Sequence, residues 1–443
     1  MKKTLLTICL VWMCFSLSAQ KIIDLSGKWS FSIDRQDNGE KEKWFSHTLN
    51  DCINLPGSMP EKLKGDEVTA KTQWTGSLYD SSYYYNPYME KYRKEGNIKF
   101  PFFLTPDKHY VGAAWYQKEV NIPADWKGER ILLFLERPHI ETTVWVNGQK
   151  TGMQNSLCVP HQYDITRYVR PGKCTITIRV DNRIKEINVG PDSHSITDQT
   201  QGNWNGIVGR ICLQTTPKTY FDDIQIYPEP EQKLARVKVV IKGAGITKIK
   251  LSAESFNTDK KHIVPAIQQE IKLNKGVTET EMVLPMGNDM LLWDEFHPAL
   301  YKLKAEVTNG KKTEIKEIQF GMRRFEIKGK WFYVNGRKTQ LRGTVENCDF
   351  PLTGYAPMDV ESWERVFRIC RSYGLNHMRF HSFCPPEAAF IAADRVGFYL
   401  QPEGPSWPNH GPKLGLGQPI DKYLMDETIA LTKEYGNYAS YCM

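Results

Sequence analysis

Six residues in the last hundred or so positions of the 443-residue sequence have types and spacing suited to binding a polar ligand: Glu346, Asn347, Arg379, His381, Glu403 and Trp407. The planar guanidinium of Arg379 can fix a carboxylate through paired hydrogen bonds. His381 can bond a hydroxyl, or can instead be a turn histidine satisfied by backbone. Trp407 can stack on a sugar face or fill a core, and Glu403 can bind a ligand or form a salt bridge. Glu346 and Asn347 are adjacent in sequence and would act from the same place.

These residues fall at the ends of three short apolar runs, around LRGTVEN, NHMRFH and FYLQPE, and the runs alternate with helical segments. Alternation of this kind predicts βαβ units with parallel strands. The economical reading is the opening of a (β/α)8 TIM barrel, in which the C-terminal strand ends form the active face. The helix VESWERVFRICRSYG is expected to bury Trp363, Val366, Phe367 and Cys370 on one face. A later helix, DKYLMDETIALTKEYG, is expected to bury Tyr423, Leu424, Ile429 and Leu431. NYASYCM would begin a fourth strand. About three strands cannot close a cylinder, so an unpaired edge is expected.

The preceding sequence reads as β-rich support. From Ile22 to about Thr216 strand follows strand; Trp29, Phe31 and Ile33 alternate with polar neighbours, and VWVNG runs a strand into an Asn-Gly hairpin turn at Asn147 and Gly148. An antiparallel jelly-roll β-sandwich satisfies the pattern. Between about Trp44 and Tyr110 the chain turns irregular, as a functional insertion or simply as packed surface. From about Lys218 to Phe320 the strand spacing suits an immunoglobulin-like β-sandwich, read as a spacer. A second Asn-Gly turn comes at Asn335 and Gly336.

Composition narrows the classes. The formal charge of +7 comes from 58 basic and 51 acidic residues spread without a run of one sign, which argues against a nucleic-acid partner. Residues 1–19 carry Lys2 and Lys3, an apolar stretch and small Ser18 and Ala19, the pattern of a secretory signal peptide, so an exported and most simply periplasmic location is expected. No later segment reads as a membrane span. The cysteines beyond the signal lack paired short spacings of the zinc type and are expected as buried free thiols; no cofactor or metal is expected.

At WYQKEVNIPADW, the ERP…VWVNG…YDIT run and GNWNGIVGRICL, the sequence resembles the N-terminal sugar-binding domain of glycoside hydrolase family 2, which includes β-galactosidases, β-glucuronidases and β-mannosidases. HPALYKLKAEV resembles that family's middle domain, and FGMRRFEIKGKWFYVNGRKTQLRG its entry into the catalytic barrel. The resemblance divides the chain into a signal peptide (1–19), a jelly-roll sugar-binding domain (20–217), an immunoglobulin-like domain (218–320) and the N-terminal part of a TIM-barrel catalytic domain (321–443). It implies a retaining exo-β-glycosidase, β-galactosidase-like, acting on an oligosaccharide or a polysaccharide-derived glycan. Retaining hydrolysis uses two carboxyl groups about 5–5.5 Å apart. The resemblance places the acid/base Glu after strand four and the nucleophile after strand seven, both beyond Met443, so no catalytic pair is assigned and the chain is expected to bind sugar weakly without hydrolysing it. Arg379 and Glu403 match family positions; Glu346 and Asn347 match in part. The family's Ser-His-Tyr-Pro run after strand two is here His381, Ser382, Phe383, Cys384 and Pro385, which argues against lactose-type specificity. A non-catalytic carbohydrate-binding protein is the alternative.

Overall fold

The computed structural model describes residues 20–76, 81–100, 105–200, 202–350 and 353–443. The expected signal peptide lies outside the described residues. Among them, no helix is long and apolar enough to cross a membrane.

The first unit packs two antiparallel sheets face to face. One sheet runs in the order Ile22–Asp24, Gly206–Thr216, Arg130–His139 and His161–Asp164, with Gly57–Ser58 paired to the Gly206 end. The other runs Gln149–Gln154, Glu141–Val146, Gly172–Asp181, Ala113–Ile122, Gly27–Asp34 and Asp51–Leu55. Alternation in the sequence decides the inner faces. Trp29 and Phe31 from one sheet and Leu133, Leu135 and Leu213 from the other enter a common core, each burial contributing about 1.5–3 kcal/mol. Asn147 (φ 50°) and Gly148 (φ 76°) form the expected tight hairpin.

The second unit is built on two 23-residue strands, Leu234–Phe256 and Ile263–Pro285. The first half of Leu234–Phe256 pairs with Tyr220–Glu229 and its second half with Leu300–Asn309. Register shifts at Gly243/Gly245 mark the bend between the halves. Val237, Val239, Leu251, Leu303 and Phe320 share its core, so the sheet folds over itself in sandwich fashion. A three-stranded meander then crosses Asn335–Gly336, again with positive φ at both residues.

The last unit is a parallel three-stranded sheet of Gly343–Glu346, His377–Phe380 and Tyr399–Pro402. Helix α1 (Val360–Ser372) and helix α2 (Glu387–Val396) make the crossovers, and helix α3 (Pro419–Tyr435) comes after the third strand. Asp359 caps α1 by accepting from the Ser362 N–H at 2.8 Å. Trp363 and Phe367 are buried as expected, with Val366 and Cys370 packed partly against them. Tyr441 makes a parallel bridge to Leu400 on the far side of the third strand, where a fourth strand would lie. The three strands form an open sheet and do not close a barrel.

One core expectation needs correction. The inner stripe of α3 is Ile420, Tyr423, Glu427, Leu431 and Tyr435, whereas Ile429 is 65% exposed. The stripe advances by three or four residues, and Ile429 lies between two of its steps.

The units are fastened to one another by buried polar groups. The Arg137 guanidinium of the first sandwich donates to the carbonyls of Leu157 (2.7 Å), Cys384 (3.3 Å) and Pro385 (3.1 Å). Glu427 of α3 accepts from the backbone N–H groups of Leu157 (3.0 Å) and Cys158 (3.1 Å). On the opposite side, Glu295 of the second unit binds Arg342 and Asn376 at the N-terminal edge of the parallel sheet. Asp394 accepts from Gln319 (2.7 Å) and from the backbone of Ala439 and Ser440.

Candidate functional site at the strand tips

Parallel register brings Glu346, Phe380 and Pro402 side by side at one edge of the sheet, so the residues just beyond them share that edge. Arg379 and Glu403 meet there, the guanidinium Nε on Oε1 of the carboxylate. The other Glu403 oxygen accepts from the Ser382 N–H at 2.8 Å. Both oxygens therefore have partners, and the pair is only partly covered, leaving the remaining guanidinium N–H groups able to reach a ligand.

His381 and Trp407 pack edge to face, ring centroids 4.7 Å apart. The His381 backbone N–H donates to the Glu346 carbonyl at 3.0 Å. Burial lowers the His381 pKa, the Glu403 carboxylate acting against that shift.

Glu346 behaves differently. Its carboxyl turns back on its own chain and accepts from the Cys348 N–H (3.0 Å to Oε1, 3.1 Å to Oε2) and the Asp349 N–H (3.3 Å). Burial pushes it up to about 7, outweighing those backbone donors, which favour the anion. Its hydrogen bonds go to this turn and not to the Arg379–Glu403 pair. Asn347 is half-buried beside it. The six residues thus fall into Arg379 paired with Glu403, His381 packed on Trp407 beside them, and Glu346 with Asn347 at the neighbouring tip.

Sequence reasoning missed that the first sandwich supplies part of this site. The connection over residues 182–205 runs onto the strand tips. Ser382, held at φ 52°, accepts from the His194 N–H through its hydroxyl (2.8 Å), and its carbonyl accepts from the Ser195 hydroxyl (2.7 Å) and the Ser193 hydroxyl (3.2 Å). The His194 ring lies 4.8 Å from that of His381 and 5.7 Å from that of Trp407. Burial takes the His194 pKa down to about 4, with the His381 ring contributing in the same direction. Gly190 sits against the Trp407 backbone, and a Cβ there would collide with its carbonyl. The available signal was the length of that connection, which carries only a 3-10 turn at Asp198–Thr200 among its described residues.

Among the described residues no group of three or more His, Cys, Asp or Glu could hold a metal ion, and the described cysteines are free thiols. The arrangement offers a fixed cation–anion pair, neutral imidazoles and an indole edge, which suit binding and orienting a polyhydroxylated ring.

Comparison with known proteins agrees in architecture. The sequence model for the "Glycosyl hydrolases family 2, sugar binding domain" matches residues 22–217, and that for "Glycosyl hydrolases family 2" matches residues 219–323. A β-galactosidase of Thermoanaerobacter pseudethanolicus is 25% identical over 334 residues, 71% of this chain and 42% of that protein. Human β-glucuronidase is 23% identical over 420 residues, 86% of this chain and 57% of that protein. The chain spans about half the length of these relatives. A solved structure of β-glucuronidase from Ruminococcus gnavus superposes with a TM-score of 0.71 at 18% identity, covering 96% of this chain and 66% of that one. A family 2 member from Bacteroides cellulosilyticus gives 0.69 at 20% identity, covering 95% and 52%.

Proposed function

This chain belongs to glycoside hydrolase family 2, a family of O-glycosyl hydrolases, and on that premise we propose that it holds the terminal sugar of a β-linked glycan for a retaining exo-β-glycosidase of the β-galactosidase or β-glucuronidase type. In this reading the parallel sheet and its helices are the opening of a TIM barrel, and the strand tips are its active face. The observation that carries it is the Arg379–Glu403 pair at adjacent C-terminal strand ends, steadied by the 182–205 connection of the first sandwich. An exported, periplasmic location is part of the same proposal, resting on the leader-like residues 1–19.

Glu346 and Glu403 are not the reacting carboxyl pair in this reading. Glu403 is spent on Arg379 and the Ser382 N–H, and Glu346 is folded onto its own turn, so neither is aimed as a nucleophile or proton donor toward a shared anomeric carbon. The 443-residue chain accordingly binds sugar and does not turn it over. The test is release of 4-nitrophenol from a panel of 4-nitrophenyl β-glycosides, run beside calorimetric titration with the matching methyl β-glycosides. Binding without release is the expected result. Turnover that disappears on Glu346→Gln or Glu403→Gln would overturn the assignment of roles.

A further inference from the structure

Cys158 and Cys384 come from opposite sides of the seam that Arg137 holds. Cys158 follows Leu157 in the connection between Gln149–Gln154 and His161–Asp164 of the first sandwich, and Cys384 lies between the second parallel strand and helix α2. One nitrogen of the Arg137 guanidinium donates to both the Leu157 carbonyl (2.7 Å) and the Cys384 carbonyl (3.3 Å), which draws the two backbones to one point. The Cys158 backbone is held again from α3: its N–H donates to Glu427 (3.1 Å) and its carbonyl accepts from the Tyr435 hydroxyl (3.3 Å). Both side chains are buried in one apolar cluster with Phe383 and Phe390, and the two thiols lie in hydrogen-bonding contact with each other.

Every one of these anchors is independent of sulfur, so the seam sets the thiols side by side before any bond joins them. Cys348 shares the cluster, but its place is fixed by the turn in which its N–H donates to Glu346 at a φ of 63°, and the thiol that touches Cys158 is that of Cys384. Contact with the Cys384 thiol, together with burial, holds the Cys158 thiol well above its usual pKa. The thiolate is the species that attacks a disulfide, and the folded seam supplies almost none of it. A bond between the two sulfurs is therefore made while the chain is folding, and burial then shields it from reductants.

We propose that Cys158 and Cys384 are a disulfide pair that locks the first sandwich to the parallel sheet when the chain folds in an oxidising compartment. The oxidant is itself a disulfide. One cysteine releases its proton and attacks it as a thiolate, expelling half of the oxidant; the second cysteine, also deprotonated, displaces the other half. Two S–H bonds are broken and one S–S bond is formed, and the oxidant leaves as two thiols carrying the protons and the two electrons. The cross-link closes a long loop, which confines the unfolded chain and favours the folded one. The inference takes the exported location from the proposed function and nothing from its glycan reading.

The test is to produce the chain in a bacterial host in two ways, exported behind a standard leader and retained in the reducing cytoplasm. Each product is unfolded in urea with iodoacetamide, digested without reductant and mapped by mass spectrometry. The exported chain should yield a linked pair of peptides carrying Cys158 and Cys384, lighter by two hydrogens than the two thiol peptides, and the cytoplasmic chain should yield both cysteines alkylated. The exported chain should also unfold at a higher urea concentration, a shift that disappears when dithiothreitol is present throughout unfolding and in Cys158→Ser. The wild-type peptide map decides the pairing by itself if that variant does not fold. Both cysteines alkylated in the exported chain, or Cys384 joined to Cys348 or to any other cysteine, would overturn the proposal. A chain that carries the link and binds no sugar would defeat the proposed function and leave this pairing standing.

Discussion

The Arg379 guanidinium and the Glu403 carboxylate meet across neighbouring parallel strands, at the edge of the sheet where the first sandwich also arrives. Neither residue is fully buried, so the pair is open to solvent screening and contributes little to stability. Its value is positional: it fixes the direction of the guanidinium.

Replacing Arg379 with Ala should therefore change binding more than folding. Methyl β-glycoside affinity is expected to fall about ten-fold or more, as loss of a charged hydrogen-bond donor typically produces, while thermal stability changes by less than about 1 kcal/mol. Arg379→Lys keeps the charge without the planar fork and should recover only part of the loss. An unchanged calorimetric Kd in folded Arg379→Ala would remove this residue from the site.

Asp394 should make stability depend on pH. Burial raises its pKa to about 6 from an ordinary 3.8, so the folded state holds the proton where the unfolded chain has released it. The contribution of Asp394 to stability is then fully present below about pH 4 and is lost as pH rises to about 6, by up to about 3 kcal/mol for a shift of this size. Urea denaturation of the wild type and Asp394→Asn across that window should show the wild type losing stability relative to the variant. Parallel curves would contradict the assignment.

Gly190→Ala tests the close approach of the sandwich connection to Trp407. The substitution puts a Cβ on the Trp407 carbonyl at a residue with φ +97°, so both the contact and the backbone resist it. Trp407 should move, shifting tryptophan emission and weakening sugar affinity together. Wild-type emission and affinity would show that the approach is slack.

On α3 the expected contrast is between two neighbours of similar type. Leu431→Ala should cost about 2–5 kcal/mol as a core truncation, and Ile429→Lys should stay within about 0.5 kcal/mol as a surface change. Equal losses in denaturant would restore Ile429 to the core.

The strand-tip residues were legible in the sequence because short apolar runs separated by helical segments specify both a parallel sheet and the edge at which its polar residues gather. Arg379 and Glu403 needed nothing more. The role of Ser382 was hidden, since its partners Ser193, His194 and Ser195 lie nearly two hundred positions earlier and local periodicity carries no record of such a meeting. Glu346 shows another limit: its position at a strand end was readable, but the turn that draws its carboxyl onto the Cys348 and Asp349 N–H groups depends on backbone geometry after the strand. Ile429 was misplaced because an apolar residue type was allowed to outweigh its angular position on the helix.

The buried Arg137 guanidinium, spread over three carbonyls from two units, has a consequence for how the units can move against each other. Swinging the sandwich away from the parallel sheet would strip the Cys384 and Pro385 carbonyls of their donor and leave the buried cation in the seam with Leu157 alone of the three. That seam is a weld, not a hinge. Whatever binds at the strand tips must enter with the large units standing still around it.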